Sequence, residues 1–593
     1  MIALVVLLPL VAAIAAIAII PRYSVEKYVA IAGSLIASAL IPTLTYGLVK
    51  IPWFSIGQYT FDISISLTPL NLLLLSLVLG IGSLVMIYSA GYMDNPTEQK
   101  RYYIEMLSFQ AAMALFAISG NFITLLIAWE FLSLTSYLLI GFWYNKDSAT
   151  RAARKALTMV FLGDLALLGA IVIFWHAYGT LEFYAIATAA AQNSTSLYVG
   201  TLLLLVAVFT KSAQFPFHEW LIDAMEGPTP VSAFLHSSTM VKAGVFAVII
   251  LYPIFAVQAI SSIVLVIGLI TAVIATLGAS REMHIKKVIA YSTVQELSIM
   301  LIALASGAVL AAIYFFLVQS FYKALLFFSS GVVMKATEKE NLNEASGLGT
   351  RKVIYISTLV GVLSLAGFVP FSGFFANEGI SSSISSNLAL YAIMTAISML
   401  TSFYIMRWFS YSARKARTQE IENGYFAQPR SMVYPMVLLA ALTVVVSAFF
   451  FPIGNFMNSG SYLSYLSMGN AVSFSIIDAA IFTVVIAIGA LIGYRMYSNR
   501  TKPDTMLIDR IVYTRYMMNW LYNLVSLVTY ELSSGINAFD SYLNEGFDSI
   551  GRITLRSGYG IRRVSVGNIN SYAIIFIVGM LVISLSFYYL VVV

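Results

Sequence analysis

The sequence contains 593 residues, of which 60% are hydrophobic and only 10% are charged. Soluble domains have about 25% charged residues, and apolar windows of about 20 residues recur along this chain, so the composition predicts an all-α polytopic membrane protein. The sequence has no cysteine, which excludes disulfides, c-type haem attachment and cysteine-ligated iron–sulfur clusters in this chain. The net charge of +6 is spread over short loops and does not indicate nucleic-acid binding.

About sixteen apolar segments are long enough to be membrane spans. They lie near residues 2–21, 27–49, 69–92, 102–118, 121–143, 152–176, 197–217, 229–253, 257–279, 285–305, 308–334, 353–377, 385–411, 432–452, 472–496 and 570–593. Connections after odd-numbered spans are rich in Lys and Arg, except the acidic one after the seventh span, and those after even-numbered spans have almost none beyond Lys50. The positive-inside rule therefore places the N-terminus outside and the basic loops in the cytoplasm.

The most unusual segment runs from Lys211 to Lys242 and reads KSAQFPFHEWLIDAMEGPTPVSAFLHSSTMVK. An apolar run brings Lys211 into the membrane, and Pro216 then removes a backbone donor and interrupts the helix. A second apolar run carries His236 and Lys242. One charge at the bilayer centre costs about 2.5–3.5 kcal/mol on insertion scales. A broken helix that presents ionisable groups at this depth therefore indicates ion transport.

A second interruption is predicted at Gly367–Gly373, GFVPFSG, around Pro370. If 102–253 and 257–411 each form a five-helix unit, each interruption falls in the fourth helix of its unit. Matching interruptions in two halves predict an inverted repeat with a transport path at its core. The alternative is that Pro and Gly are simply common in membrane helices.

Four further regions complete the predicted organisation. N-terminal helices occupy 1–101, and additional spans occupy 412–504. Within 505–569, apolar and polar residues recur at helical spacing, which predicts a long lateral amphipathic helix along the membrane surface or against other subunits. A merely peripheral helix is the alternative. A closing span follows at 570–593.

Glu130 is predicted to lie deep in the fifth span, where a lone carboxylate indicates a specific partner. Lys211 is the cation that we expect to pair with it. Burial and pairing shift the proton affinity of each group in opposite directions. The pair would therefore work as a switch, in which the lysine releases its proton when the two groups separate. A static structural ion pair is the alternative. We expect Asp164 to fix a helix junction or to pair with a basic loop residue.

The second half offers further ionisable side chains at membrane depth. Lys323 is flanked by apolar residues, with Gln319 one turn earlier on the same helix face, which predicts a central relay site. His236 and Lys242 would extend a hydrated polar row, because imidazole titrates near neutral pH; a satisfied core histidine is the alternative. Glu378 follows the second interruption and is the candidate last group before an aqueous exit, unless it is only an interfacial carboxylate.

Other chemistry finds no support in the sequence. It contains no phosphate-binding loop and no dinucleotide-binding motif after a strand. Its four histidines include no pair spaced three or four residues apart, so no metal or haem site is expected in this chain. The roles of Glu296 and Asp478, which lie in or near the membrane, stay open.

Several stretches resemble the antiporter-like subunits of respiratory complex I, which are similar to subunits of Mrp-type cation/proton antiporters and membrane-bound hydrogenases. These stretches are WEFLSLTSYLLIGFW, Lys211 to His236, HSSTMVKAG, IKKVIAYSTVQELSIM, FYKALLFFSSG and GFVPFSGFF. The match covers the fourth to twelfth predicted spans. The lateral helix and the single closing span are most similar to the L-type subunit, NADH–quinone oxidoreductase chain L.

This resemblance implies two inverted five-helix repeats around a hydrated central axis. Glu130 and Lys211 match the family's carboxylate–lysine pair, His236 matches the eighth-span histidine, and Lys323 matches the central lysine. Asp164 matches an acidic position of the family.

The chain departs from the family pattern at two positions. Asn377 stands where the family usually has Lys or Glu, with Glu378 beside it, and Gln319 stands where a histidine is common. Neither Asn377 nor Gln319 can titrate. Both positions belong to the output half of the implied path, so proton transfer in that half differs from the family pattern.

The resemblance further implies a proton-translocating membrane-arm subunit in a prokaryotic plasma membrane, driven by redox chemistry in other subunits. Quinone and iron–sulfur clusters, with flavin left open, are expected in those partners, and no cofactor is expected in this chain. The expected partners are other membrane-arm subunits contacted by the lateral helix, the lipid bilayer and H⁺, with Na⁺ left open. The alternatives are an Mrp-type Na⁺/H⁺ antiporter subunit, an antiporter-like subunit of a membrane-bound hydrogenase, and a non-pumping scaffold.

Overall fold

The computed structural model describes residues 5–19, 25–57, 59–93, 96–188, 194–414, 428–459, 472, 474–498 and separate positions from 527 to 582. The chain forms two units, Met1–Val512 and Tyr513–Val593. All described residues of the second unit are helical, and residues 551–556 and 576–582 are its longest described stretches. Most of the predicted lateral helix at 505–569 and of the closing span at 570–593 lies outside the described residues, so both stay predictions.

The first unit consists of helices and one β-hairpin. In its first half the elements are α1 (Leu8–Ile19), α2 (Glu26–Ala39), β1 (Gly47–Ile56), β2 (Tyr59–Leu67), α3 (Pro69–Tyr92), α4 (Pro96–Ala117), α5 (Phe122–Ile140), α6 (Asp147–Tyr178), α7 (Phe183–Thr188), α8 (Thr195–Lys211), α9 (Glu219–Asp223), α10 (Thr229–Ser237) and α11 (Met240–Ile250). The remaining helices are α12 (Tyr252–Phe255), α13 (Gln258–Arg281), α14 (Ile285–Ala305), α15 (Val309–Thr337), α16 (Lys352–Ala366), α17 (Ser372–Ile384), α18 (Leu388–Ser412), α19 (Arg430–Val445), α20 (Ile453–Met457) and α21 (Ile476–Ser498).

Ten helical segments of the described chain are long and apolar enough to cross a membrane, with α10 and α11 together forming one of them. Helices α1, α8 and α16 are apolar but shorter. The predicted all-α polytopic membrane fold is therefore confirmed, whereas the number of sixteen spans stays a prediction.

The hairpin of β1 and β2 was not predicted. Helix α2 ends at Ala39, and Pro42 lies in the short 3₁₀ helix that follows it, so the second span is shorter than the predicted 27–49. The two strands pair antiparallel through a turn at Gly57, whose φ of 62° is a conformation that glycine adopts without strain. Strand β2 is also hydrogen-bonded to the α4–α5 connection through the amide of Gly120, which fixes the hairpin on the helices.

Three membrane segments are interrupted. Pro216 lies in the non-helical stretch between α8 and α9, and Pro370 lies in the one between α16 and α17. Gly367 ends α16 with a φ of 84°, and the hydroxyl of Ser364 accepts a hydrogen bond from the amide of Gly373 across the gap. The third interruption, between α10 and α11, was not predicted.

Grouping the helices as in the two predicted five-helix units places an interruption in each, although the units themselves stay a prediction. In the sets α4, α5, α6, α8–α9, α10–α11 and α13, α14, α15, α16–α17, α18, the fourth member is interrupted each time. The inverted relation between the two sets stays a prediction. Helix α15 is almost wholly buried and packs against α10, α14, α16, α17 and α19, so a side chain on α15 can contact either set.

Candidate functional site

Lys211 is the last residue of α8, where the unpaired carbonyl groups of the helix end favour a cation. Its side chain is fully buried. The ammonium group donates hydrogen bonds to the Ser133 hydroxyl at 2.5 Å and to the Trp129 carbonyl at 3.1 Å. Its nearest carboxylate is that of Asp164 on α6, with 3.8 Å between Lys211 Nζ and Asp164 Oδ1. These four residues form what we call the first cluster.

Asp164 is held in place by the same residues of α5. Trp129 Nε1 donates to Asp164 Oδ1 at 2.7 Å, and the Ser133 hydroxyl donates to Oδ2 at 3.0 Å. Helices α6 and α8 approach closely beside this pair. The space between them is so small that a Cβ atom at Gly163 would collide with the side chain of Thr210. The expected pairing of Asp164 with a basic loop residue is wrong, because its partner is the buried Lys211. Its hydrogen bonds to α5 fit the other expectation, a role at a helix junction.

Glu130 does not pair with Lys211 as predicted. Its side chain is exposed on the surface of this chain, beside the exposed Phe131 and Leu134. The reason is helical geometry: Trp129 and Ser133 are four residues apart and share the buried face of α5, whereas Glu130 and Leu134 share the face that points outward. Among the described residues, Glu130 lies within 4.0 Å of no cationic group.

The second cluster consists of Lys242, His236 and the α15 side chains that contact them. Residues 316, 320 and 327 of α15 are spaced four and seven apart and so lie along one side of the helix. Lys242 on α11 is fully buried and donates to the Ser320 hydroxyl and to the Phe316 carbonyl, both at 2.5 Å. Its ammonium group also lies 4.4 Å from the centre of the Phe316 ring.

His236 lies where α10 ends, against the same helix. Its ring centre is 4.8 Å from that of Phe327, and its carbonyl accepts a hydrogen bond from the Gln319 amide at 3.5 Å. Both ring nitrogens are buried and have no hydrogen-bond partner among the described residues. A buried polar atom of this kind is normally hydrogen-bonded to protein or to water. The alternative of a core histidine satisfied by protein groups therefore has no support among the described residues.

Lys323 on α15 belongs to the third cluster, which faces α14. Its ammonium group lies 2.9 Å from Glu296 Oε2 and donates a short hydrogen bond to the Ser292 hydroxyl. Tyr322 donates its hydroxyl to Glu296 Oε1 at 3.1 Å. All four side chains are buried. The role of Glu296 was left open by the sequence, although its spacing of four residues from Ser292 places both on one face of a helix.

Glu378 on α17 is also buried. One of its carboxylate oxygens accepts a hydrogen bond from the amide of Ser475 at 3.2 Å, and the other has no hydrogen-bond partner among the described residues. Asn377 is half-buried and donates its amide to the Gly373 carbonyl one turn earlier. The described part of the chain has no group of three or more His, Cys, Asp or Glu side chains that could hold a metal ion.

Family comparison places most of this site within one family. Residues 119–404 match the family described as "NADH:quinone oxidoreductase/Mrp antiporter, TM". Residues 53–103 match the family described as "NADH-Ubiquinone oxidoreductase (complex I), chain 5 N-terminus". The first match contains all three clusters, and the second begins within β1 and contains all of β2.

Curated relatives extend this similarity over nearly the whole chain. The chain is 30% identical over 588 residues to the chloroplast NAD(P)H-quinone oxidoreductase subunit 5 of Chaetosphaeridium globosum, covering 90% of this chain and 88% of the relative. It is 32% identical over 483 residues to NADH-quinone oxidoreductase subunit L of a Buchnera aphidicola strain (Baizongia pistaciae), covering 79% of this chain and 76% of the relative.

Two solved structures share the fold. A chain of the Mrp complex from a Dietzia species superimposes with a TM-score of 0.70 at 23% identity, covering 99% of this chain and 63% of that chain. A chain of an archaeal membrane-bound sulfane sulfur reductase, described as a respiratory membrane complex, superimposes with a TM-score of 0.73 at 18% identity, covering 98% and 99%.

Proposed function

The chain belongs to the transmembrane family of NADH:quinone oxidoreductase and Mrp antiporter subunits, and we propose that it is a proton-translocating membrane-arm subunit of a complex I-type quinone oxidoreductase. In this proposal, H⁺ moves along a hydrated axis of buried Lys, His and carboxylate side chains. Redox chemistry in partner subunits, where quinone and iron–sulfur clusters bind, supplies the driving force.

The observation that supports this function best is the set of three fully buried lysines, Lys211, Lys242 and Lys323. Each costs about 2.5–3.5 kcal/mol at the bilayer centre on insertion scales. Each is also held by an oxygen atom from another helix, at Ser133, Ser320 and Ser292. Stability alone favours apolar side chains at such positions. Ionisable groups inside a membrane therefore mark an ion path.

In this proposal each of the three clusters has a different role in proton transfer. Lys211 holds its proton while Asp164 stabilises the ammonium charge, and it releases the proton when that carboxylate is neutralised or moves away. His236 has two ring nitrogens available to water, and a neutral imidazole can accept a proton at one nitrogen and release one from the other. Lys242 is hydrogen-bonded to α15, the helix that carries Lys323, so the charge of one ammonium group opposes protonation of the other.

We assign Glu130 to a contact with another subunit of the assembly. An exposed carboxylate among apolar side chains at this membrane depth is costly if it faces lipid. The relatives are named as subunits, and the solved chains belong to complexes, so a neighbouring subunit that presents a cation would cover this face. The lateral helix at 505–569 is proposed as a second contact. We also propose a prokaryotic plasma membrane, with the N-terminus outside as the loop charges indicate.

The test of this function is Lys211→Met in the intact complex, reconstituted in vesicles and supplied with electron donor and quinone. We expect fewer protons translocated per electron pair than in the wild type, because methionine cannot take up a proton. Lys211→Arg is expected to fail as well, because arginine does not release its proton. Glu105→Gln is the matched control: this buried glutamate of α4 pairs with Arg101 of the same helix, away from the three clusters.

An unchanged proton-to-electron ratio in Lys211→Met would contradict the proposed function. The antiporter alternative has its own signature in the same vesicles. Proton movement driven by an imposed Na⁺ gradient, without any electron donor, would assign the chain to Na⁺/H⁺ exchange instead.

A further inference from the structure

Glu296 forms an ion pair with Lys323, and the proton path described above gives this carboxylate no role. The pair is shorter than that of the first cluster, at 2.9 Å against 3.8 Å. Both side chains are buried, Glu296 on α14 and Lys323 on α15. A second lysine–carboxylate pair therefore exists in the second half of the chain, where Asn377 cannot titrate.

A small cavity lies between Glu296 and the second interruption. The cavity has a volume of about 10 Å³, which is enough for about one water molecule. Five polar side chains line this space: Gln295 and Glu296 from α14, Asn377 from α17, and Ser398 and Thr401 from α18. The cavity thus joins Glu296 to the residue immediately before Glu378.

The polar side of this cavity is fixed by an ordered set of hydrogen bonds. Gln295, next to Glu296 on α14, donates its amide to the Thr401 hydroxyl at 2.6 Å. Its carbonyl oxygen accepts the hydroxyl of Tyr404 at 2.5 Å. Both partners belong to α18, so α14 and α18 are held together on either side of the cavity. A water molecule there would meet several oxygen and nitrogen atoms, as a stably bound water requires.

We propose that Glu296 takes the proton from Lys323 and passes it through a water in this cavity, past Asn377, to Glu378. The Lys323 ammonium gives H⁺ to the Glu296 carboxylate, which leaves a neutral amine and a carboxylic acid. The acid then releases H⁺ to the water, and the carboxylate re-forms. Glu378, which has one carboxylate oxygen without a hydrogen-bond partner among the described residues, accepts the proton on the exit side. Asn377 orients the water and never changes its charge.

This inference rests on the proposed function and predicts a specific pattern of variants. Glu296→Gln keeps the size of the side chain and a group that can accept from Tyr322, but it cannot hold a proton. We expect it to lower the proton-to-electron ratio as much as Lys211→Met does, and we expect Glu296→Asp to restore at least half of the loss. Glu105→Gln again serves as the control with the same chemical change.

Asn377→Leu provides an independent variant, because leucine is similar in size but makes the cavity apolar. We expect it to lower the proton-to-electron ratio while the Lys323–Glu296 pair keeps both charges. A static ion pair would be unaffected by this change. The Asn377→Leu variant also tests the proton path through Glu296 if Glu296→Gln fails to assemble into the complex.

The outcomes separate the two claims. If Lys211→Met lowers the ratio while Glu296→Gln and Asn377→Leu both pump like the wild type, the role of Glu296 is refuted and the proposed function stands. If Lys211→Met also pumps normally, the proposed function itself fails.

Discussion

Replacing Asp164 with Asn tests the electrostatic design of the first cluster. The change removes one negative charge 3.8 Å from Lys211 Nζ but keeps a side-chain oxygen that can accept from Trp129. At this separation, and at an effective dielectric constant of about 20, the lost attraction is about 4 kcal/mol. Since 1.36 kcal/mol corresponds to a factor of ten, the ratio of protonated to neutral Lys211 falls by about a thousandfold.

The assay is the number of protons translocated per electron pair in vesicles that contain the intact complex. We expect Asp164→Asn to match the loss seen in Lys211→Met, because a lysine that cannot load a proton is equivalent to an absent one. Asp164→Glu keeps the charge and should retain part of the activity. Glu130→Gln is the comparison, since Glu130 lies on the exposed face of α5 and farther than 4.0 Å from Lys211, and we expect it to lower the ratio less than Asp164→Asn does.

The reasoning would be refuted by the opposite order. If Asp164→Asn pumped normally while Glu130→Gln abolished pumping, the functional partner of Lys211 would be Glu130, as the sequence alone suggests.

Two further predictions concern how the clusters are built. Gly163→Val is expected to push α6 away from α8, because the new side chain collides with Thr210. Overpacking of this kind costs about 1–3 kcal/mol, so the unfolding temperature and the proton-to-electron ratio should both fall. Ser320→Ala removes a hydrogen bond to the Lys242 ammonium, and such charged bonds contribute about 1.5–3 kcal/mol; we expect a lower ratio with little change in complex assembly.

Each of these has a matched control. A Cβ atom at Gly80 would meet nothing within 4 Å, so Gly80→Val should leave unfolding and pumping unchanged, and an equal loss there would count against the close approach of α6 and α8. Ser320→Thr keeps the hydroxyl and should pump better than Ser320→Ala. Equal activity of the alanine and threonine variants would show that Lys242 does not depend on this oxygen.

The main features of the membrane domain could be predicted from the sequence because strong local signals encode them. Proline and glycine mark the interruptions around Pro216 and Pro370, and the buried lysines stand out within apolar runs. The interruption between α10 and α11 has no such signal. It contains Ser238 and Thr239, and the Thr239 hydroxyl donates to the Phe234 carbonyl within the break.

The partners of the ionisable groups could not be predicted in the same way. Adjacent positions on a helix point about 100° apart, so Trp129 faces Lys211 while Glu130 faces outward. Which of the two is buried depends on how α5 is rotated, and that is set by packing against α6 and α8. A pairing such as Glu296 with Lys323 joins different helices and has no periodic signature in the sequence.

The β-hairpin had a signal that hydrophobic span searches overlook. In β2 the apolar residues Phe61, Ile63, Ile65 and Leu67 alternate with polar ones, which is the period of a half-buried strand. The apolar segment 27–49 before it was long enough to suggest a full span. The proline at position 42 marks where that segment leaves the helix.

The most direct test of a hydrated proton axis is a map of the assembled complex at a resolution that places ordered waters. Waters hydrogen-bonded to both ring nitrogens of His236, and linked from there towards Lys242 and Lys323, are the predicted result. Dry ring nitrogens, enclosed by side chains with no water between His236 and either lysine, would contradict the account.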